Sequence, residues 1–470
     1  MSETPSPSSP AAFPTGDVPT TYPEVERALL ARWPETRLDP TLERIEALVH
    51  ALGDPQRGYP VVHLTGTNGK TSTARMIDAL IRTTGLRTGR FTSPHVESMT
   101  ERISIDGEPI SEEAFVEAYH DVASLAALVD AQSEHPLSFF ETVVGMAYAA
   151  FADAPVDAAI VEVGMGGSWD ATNVVDAKVA VITPISVDHV KYLGERPEDI
   201  AIEKAGIMKP GSVVVVAEQE PPVMEVLLER AAEVGVTVVR EGVDFGVVQR
   251  VPAVGGQMLR LQGLRAEYDE VFLPLFGAHQ GRNAALALAA VEAFAGDEPL
   301  DAEIVHEAFA AVTSPGRLEI IRRSPTIVLD AAHNPHGARA TAEALEDSFT
   351  FNPLVGVLGV MADKDVDGVL AAFEHVFAEV VCTQNSTPRA MPAEELAEIA
   401  RGIYGTDRVH VAPRLDDAIE QAATLAETGG VYGSGGVLVT GSVITAGEAR
   451  TMLKPRDVAE RASRAAQERS

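Results

Sequence analysis

Apolar residues in this chain gather into short continuous runs separated by segments of helix length. Before residue 220 these runs are "YPVVHLTG", "TGRFTS", "DAAIVEVG", "AKVAVITPIS" and "SVVVVAEQ". Continuous apolarity, as opposed to alternation, predicts strands buried on both faces, and hence a parallel sheet covered by helices. Between residues 243 and 275 the pattern changes: Gly and Pro punctuate short alternating runs, which predicts a β-rich insertion. Helical periodicity returns over 282–295 and 302–312. The turn signal "TSPGRLEI" at 313–320 marks a domain boundary. Alternation then resumes with "TIVLDAAHNP", "LVGVLGVMADKD", "EVVCTQN", "RVHVAP" and "GVLVTGSVITAG". The expected class is α/β, with a larger unit over 21–313 and a smaller one over 314–455.

The flanks behave differently. Residues 1–20 are rich in Pro and Ser and 456–470 are charged, so both are expected to be disordered tails. The first of these has no basic stretch followed by an apolar one, so no secretory signal is expected. No apolar run approaches the roughly 20 residues that span a bilayer. The single cysteine, Cys382, follows "EVV" and reads as a buried, inert thiol in a reducing cytoplasm. A net charge of −32 argues against nucleic acid or an anionic membrane surface as a partner. It also means that any polyanionic ligand needs a local island of cations.

One stretch supplies such an island. In "VVHLTGTNGKTSTARMIDAL", Val61, Val62 and Leu64 around His63 read as a buried strand. Ala74, Ile77, Leu80 and Ile81 read as one face of a helix. Between them stands Gly66-Thr67-Asn68-Gly69-Lys70-Thr71. A phosphate-binding loop needs this order: backbone N–H groups and a helix N-terminus face an anion, Lys70 reaches its outer phosphates, and a hydroxyl sits near Mg²⁺. The loop is shorter than the strict G-x-x-x-x-G-K-[ST] pattern, because Leu64 stands where the first Gly would be. The plainer alternative is a Gly-rich strand-to-helix turn that happens to carry a lysine.

Ligands of open parallel sheets bind beyond the carboxyl ends of the strands. In the first unit those ends carry the loop, Thr92-Ser93-Pro94-His95, Glu162 in "VEVGMGG", and Asp188-His189. In the second they carry Asp330 and His333, Asp363 and Lys364, Thr383-Gln384-Asn385, and Thr440-Gly441-Ser442. Two polar rims predict a substrate cleft between the units. One strand-end Asp is often a helix cap, but capping does not account for the whole set. Beside the loop, Glu162 stands where a hard oxygen ligand for Mg²⁺ is wanted; the alternative is a buried strand that closes on Glu. For His189 the alternative is a helix-start histidine with Asp188 as its cap.

These residues also carry a family resemblance. "TGTNGKTS", "FTSPHVESMTERI", "SFFETVVGMAYAAF", "VEVGMGGSWDATN", "ITPISVDHVKYLG", "EKAGIMKPG", "GAHQGRNAALALAA", "SPGRLE", "LDAAHNPHGA" and "TGSVITAGEAR" follow one another from residue 22 to 453. The chain resembles folylpolyglutamate synthase of the bacterial kind that often doubles as dihydrofolate synthase. That resemblance implies a P-loop-type parallel-sheet domain followed by a smaller Rossmann-like α/β domain, as in Mur-ligase-like ATP-dependent amide ligases. It implies Mg²⁺, with ATP, L-glutamate, dihydropteroate and reduced folates as substrates, in a cytoplasmic monomer. Chemically, ATP phosphorylates a carboxylate and the amine of glutamate attacks the acyl phosphate.

Carried over position by position, the resemblance gives Thr67, Asn68, Gly69, Lys70 and Thr71 to the ATP phosphates, with Lys70 catalytic. Ser93, Glu162 and His189 become Mg²⁺ ligands, and the Ser93–Pro94 bond is expected to be cis. Lys204 matches a lysine that is carbamylated in relatives. Such chemistry needs a neutral amine, so the lysine pKa must fall well below its ordinary value of about 10.4. Asn283, Arg317 and Asp330 match further ATP contacts, the last two at the domain junction. His333 matches a catalytic histidine near the nucleotide and glutamate. Phe140, Glu141 and Arg102 match the border of the pterin pocket, with Thr100 and Glu101 nearby. Phe139 and Phe140 read equally well as helix core.

The chain departs from the family in two places. Thr71 replaces the Gly that follows the loop lysine in most relatives, as in Mur ligases proper. Ser168 replaces the Arg of "GGR", which removes one cation near the active centre. Two other readings compete. A peptidoglycan Mur ligase usually carries a UDP-sugar domain before its loop, whereas here the loop begins at Gly66. A nucleotide-binding regulatory module without ligase chemistry has only Ser168 in its favour.

Overall fold

The computed structural model describes residues 18–34, 39–429 and 433–454. The expected tails therefore lie outside the described residues, apart from 18–20. The first sheet has eight strands: β1 (Val61–Thr65), β2 (Thr88–Phe91), β3 (Ile103–Ile105), β4 (Glu108–Pro109), β5 (Ala158–Glu162), β6 (Val179–Ile182), β7 (Val213–Val216) and β8 (Thr237–Arg240). Their order is β4-β3-β2-β5-β1-β6-β7-β8. All neighbours from β2 to β8 pair in parallel, while β3 and β4 fold back antiparallel at one edge. All residues of β1, β5 and β6 are buried, which is the physical content of their unbroken apolar runs.

Two helical layers cover this sheet. On one face the helix Lys70–Thr83 packs through Ala74, Ile77 and Leu80 against Ala284 and Leu288 of the helix Ala278–Ala295. On the other, Val143, Val144 and Met146 of the helix Phe139–Asp153 close over Val61, Phe91 and Val161. The strand order sets the site: β2, β5, β1 and β6 are consecutive. Ser93, Glu162, the Gly66 loop and Asp188-His189 thus stand side by side along one edge.

The insertion is a three-stranded antiparallel sheet of β9 (Gly246–Ala253), β10 (Gly256–Gln262) and β11 (Glu267–Leu273). The second unit holds β12 (Glu319–Arg323), β13 (Thr326–Leu329), β14 (Leu354–Leu358), β15 (Glu379–Cys382), β16 (Val409–Val411) and β17 (Gly436–Thr440). Their order is β12-β13-β17-β14-β15-β16, parallel except for β12. Cys382 is buried at the end of β15, and burial pushes its thiol up to about 12, beyond any nucleophilic use near neutrality.

The pattern of the sequence did not reveal β3, β4, β8 or β12. All four lie at or beside a sheet edge, and β8 and β12 are only half-buried, so they carry little apolar signal. The helix expected from Arg282 begins at Ala278. Its first turn is polar, yet Gln280 is buried because it donates to Ser72 (3.3 Å) and accepts from Asn283 (3.1 Å). The second helix ends at Ala310, two residues short of the expected Val312.

The insertion is tied to the main body by Glu292, which is fully buried in the helix Ala278–Ala295. Its carboxylate accepts from the Leu264 and Arg265 amides and, at 2.8 Å, from the Tyr268 hydroxyl. Removing it strands three donors. Glu292→Ala should lower unfolding stability by about 3 kcal/mol, given about 1–3 kcal/mol for each unsatisfied buried group. Urea denaturation measures this, and a loss below about 1 kcal/mol would mean that water replaces the carboxylate without cost.

Candidate active site

The loop after β1 takes its shape from two glycines. Gly66 has φ +146° and Gly69 has φ +91°. A Cβ on Gly66 would lie 1.8 Å from Thr183 Oγ1, and one on Gly69 would lie 2.7 Å from Asn283 Oδ1. Thr67 fastens the loop to the turn after β6: its amide donates to Pro184 O (3.0 Å) and its hydroxyl to Ser186 O (2.9 Å). Lys70 starts the helix and folds back over the loop, donating to Gly66 O (3.1 Å) and Thr67 O (3.2 Å). Burial lowers its pKa, against the upward pull of Glu162 and Asp188.

Glu162 stands at the end of β5 and is buried. It accepts from Thr71 Oγ1 at 2.9 and 3.0 Å. Burial raises its pKa, while Lys70, Thr71, Arg317 and the Ser93 amide lower it. Ser93 is thus beside Glu162, and the Ser93–Pro94 bond is cis. His189 follows β6 in a left-handed conformation (φ +53°), and its amide donates to Asp188 Oδ1 at 2.7 Å. Burial, then Lys364, brings its ring down to about 4, so the imidazole is neutral and free to act as a ligand. Among the described residues no three His, Cys, Asp or Glu side chains cluster as a complete metal site. Hard oxygens from Glu162 and Thr71 beside a phosphate loop fit Mg²⁺, which takes few protein ligands and fills its shell with phosphate and water oxygens.

Lys204 ends the helix Pro197–Lys204 and is buried, contrary to its surface appearance in the sequence. Its ammonium donates to Gly66 O at 2.8 Å, the same oxygen that Lys70 uses. Burial and then Lys70 bring its pKa down to about 7. Ser168 donates from Oγ to Glu203 O (3.0 Å) next to this lysine. A Cβ on Gly206 would lie 2.1 Å from Ser168 Oγ, so residues 168 and 206 are in close contact.

The second unit meets this edge at Asp188. Its carboxylate pairs with Lys364 (2.5 Å), accepts from Asn334 (3.1 Å) and lies 3.4 Å from His333 Nε2. Burial would raise its pKa, but His333, His189 and Lys364 together hold it well below the carboxylate range. Asn68 bonds Asn334 and, at 3.0 Å, His336 across the same junction. Asp330 is buried at the end of β13 and accepts from the Leu318 and Ala332 amides and Thr341 Oγ1 at 2.9–3.0 Å. Burial raises its pKa and Arg317 lowers it. Arg317 also lies within electrostatic reach of Lys70 and Glu162. Asn283 abuts Gly69.

The aromatic side is built from the loop after β2 and the helix Phe139–Asp153. Phe140 is half-buried, with its ring edge-on to Phe91 at 5.8 Å and close over Gly164. The Arg102 guanidinium lies 4.8 Å from the centre of the Phe139 ring and donates to His95 Nδ1 at 3.0 Å. Glu141 spends its carboxylate on the Ser138 amide (2.7 Å) and on Arg44 (3.1 Å). Sequence reasoning noted Lys364 as a strand-end residue but gave it no role, and it missed Arg44 entirely. Nothing in the sequence links Lys364 to Asp188, since they meet only across the junction.

Residues 64–291 match the Mur ligase middle domain and 316–443 the Mur ligase, glutamate ligase domain. The fold and the site edge thus define a ligase of the Mur class. At 53% identity over 436 residues the chain matches the dihydrofolate synthase/folylpolyglutamate synthase of Mycobacterium tuberculosis, covering 89% of this chain and 90% of that one. It is 35% identical to the folylpolyglutamate synthase of Lacticaseibacillus casei, covering 83% and 91%. Among solved structures, the M. tuberculosis folylpolyglutamate synthase complexed with ADP superposes with TM-score 0.89 and 53% identity, over 92% of this chain and 98% of that one. E. coli FolC in complex with DHPP and ADP gives 0.82 and 28%, over 93% and 99%. The chain belongs to the dihydrofolate synthase/folylpolyglutamate synthase family.

Because a methyl group at residue 66 collides with Thr183, Gly66→Ala should distort the loop between β1 and its helix. ADP affinity by isothermal titration calorimetry should fall at least about tenfold, roughly 1.4 kcal/mol. Unchanged affinity would show that the loop shifts to make room.

Proposed function

We propose that this chain joins L-glutamate to reduced folates and to dihydropteroate at the expense of ATP. The acceptor carboxylate attacks the terminal phosphorus, ADP leaves, and an acyl phosphate forms. The amine of glutamate then attacks the acyl carbon, phosphate leaves, and the nitrogen gives up a proton. The supporting observation is one strand edge where Lys70, Lys204, Thr71 and Glu162 meet, facing Arg317, Asp330 and His333 of the second unit.

In this reading Thr67, Asn68, Gly69, Lys70 and Thr71 hold the phosphates, and Asn283, Arg317 and Asp330 complete the nucleotide contacts. Ser93, Glu162 and His189 hold Mg²⁺, which supplies positive charge against the phosphate oxygens. His333, tethered to Asp188, faces the incoming glutamate. Phe140 and Arg102 line the pterin side, and Glu141 fixes the helix that carries Phe140. The enzyme acts as a cytoplasmic monomer, with its domain junction at 313–320.

Lys204 is the site of carbamylation in this scheme. Its Nζ attacks carbon dioxide, an N–C bond forms and a proton leaves, which turns a cation into a carboxylate. A pKa of about 7 leaves much of the amine neutral at physiological pH, as the reaction requires. Lys204→Ala should be nearly inactive and partly rescued by a short carboxylic acid. Carbon-13 NMR of wild-type protein in labelled bicarbonate should show a carbamate signal that the variant lacks; no such signal would refute the modification.

The reading as a whole is tested by glutamate-dependent ADP release, with dihydropteroate and tetrahydrofolate offered separately. Release with both supports the dual activity. Release with tetrahydrofolate alone makes the protein a folylpolyglutamate synthase only, and release with neither overturns the reading.

A further inference from the structure

One cation beside this edge has no assigned work. In the helix Lys70–Thr83, Thr71, Arg75 and Asp78 stand at i, i+4 and i+7 and share one face. Thr71 reaches Glu162 at the end of β5, and Asp78 accepts from Thr88 (2.5 Å) and Arg90 in β2. Arg75 stands between them on the helix, within electrostatic reach of Arg90 in β2 and of Glu101 in the loop after it.

Its guanidinium is half-buried and, among the described residues, has neither an ion pair nor a hydrogen bond. Burial, then Arg90, lowers its pKa to about 10 against the pull of Glu101 and Asp78, and Arg317 lowers it further. Both carboxylates within reach are committed elsewhere. Asp78 holds Thr88 and Arg90, and Glu101 accepts the amides of Val96, Glu97 and Ser98 at 2.8–3.0 Å. Among the described residues Arg317, the neighbouring cation, donates only to the carbonyl of Gly316 (3.0 Å). Its turn is pinned to the same helix by Ser72 and Ser314, whose hydroxyls are 3.0 Å apart. Two guanidinium groups, one from the loop helix and one from the domain junction, thus lie in reach of each other, and the carboxylates near them, Asp78, Glu101, Glu162 and Asp330, are hydrogen-bonded to other groups. Two partly buried cations without an ion-pair partner among the described residues repel one another, and a bound anion relieves that repulsion.

We propose that Arg75, with Arg317 beside it, forms an anion subsite for the acceptor carboxylate that is not activated. The inference rests on the ligase reading above. A folate ends in glutamate and brings two carboxylates: one becomes the acyl phosphate, and the other stays anionic beside Glu162 and the phosphates. The planar fork of Arg matches a carboxylate with two parallel hydrogen bonds. Dihydropteroate ends in a single carboxylate, which is consumed in the reaction. The subsite therefore favours folates over pteroate and makes Arg75 a determinant of acceptor choice.

The test uses the full chain and glutamate-dependent ADP release. Wild type, Arg75→Gln and Arg75→Lys are compared on tetrahydrofolate, dihydropteroate and a tetrahydrofolate analogue with 4-aminobutyrate in place of the terminal glutamate. Arg75→Gln should raise KM for tetrahydrofolate at least tenfold, and Arg75→Lys should recover part of that loss. KM for ATP and for dihydropteroate should move less than threefold. In wild type the analogue should bind at least tenfold worse than tetrahydrofolate, and in Arg75→Gln the two should be equal. This comparison isolates one side chain against one carboxylate. Equal loss for both natural acceptors, a rise in KM for ATP alone, or no change would each overturn the subsite. The wild-type comparison stands even where a variant fails to fold: equal KM for folate and analogue overturns the subsite by itself. If wild type releases no ADP with any acceptor, the ligase reading fails and takes this inference with it.

Discussion

Two ammonium groups share one carbonyl oxygen at the centre of this molecule. Lys70 and Lys204 both donate to Gly66 O, at 3.1 and 2.8 Å, and both are deprived of bulk water. The ammonium groups are thus at most about 6 Å apart, where like unit charges repel by about 3 kcal/mol at an effective dielectric of 20. Repulsion and burial act in the same direction: both lysines lose proton affinity, and Lys204 comes down to about 7. Gly66 makes the arrangement possible, since its φ of +146° and the pressure of Thr183 leave no room for a side chain. The concentration of positive charge at this loop and the low proton affinity of Lys204 both follow from this geometry.

The protein around it is strongly acidic, so the cations are concentrated. Lys70, Lys204, Arg75 and Arg317 gather at one sheet edge, within reach of a few carboxylates whose pKa values diverge. Burial raises Glu162 and Asp330, whereas Asp188 is held low by His333, His189 and Lys364. Asp188 thus stays ionised where the two units meet. Its contacts with Lys364, Asn334 and His333 fix the position of the second rim relative to the first. Around these contacts the insertion and the second unit add Arg250–Asp347, and the Ser93 loop adds Glu97 with Arg450.

What the chain alone determined is what short-range physics controls. The buried strands β1, β5, β6, β7, β13, β14, β15 and β17 were legible because parallel strands covered on both faces must be continuously apolar, and the edge strand β16 showed through its Val-His-Val alternation. The loop was legible because Gly, Lys and a hydroxyl residue have to stand in that order between strand and helix. The other edge strands were not, since half-exposed residues follow no strict pattern. The tertiary structure alone decided the rest. Lys204 looks like a surface residue beside Glu203, yet it is buried because its helix folds under the loop of β1. Glu141 stands next to Phe140 but turns to cap its own helix and pair with Arg44. Lys364 and Asp188 lie far apart in the chain and find each other only when two separately folded sheets present their carboxyl ends to one another. Arg75 follows the same rule: its lack of a counter-ion depends on which partners its neighbours have already taken, and that is settled in three dimensions.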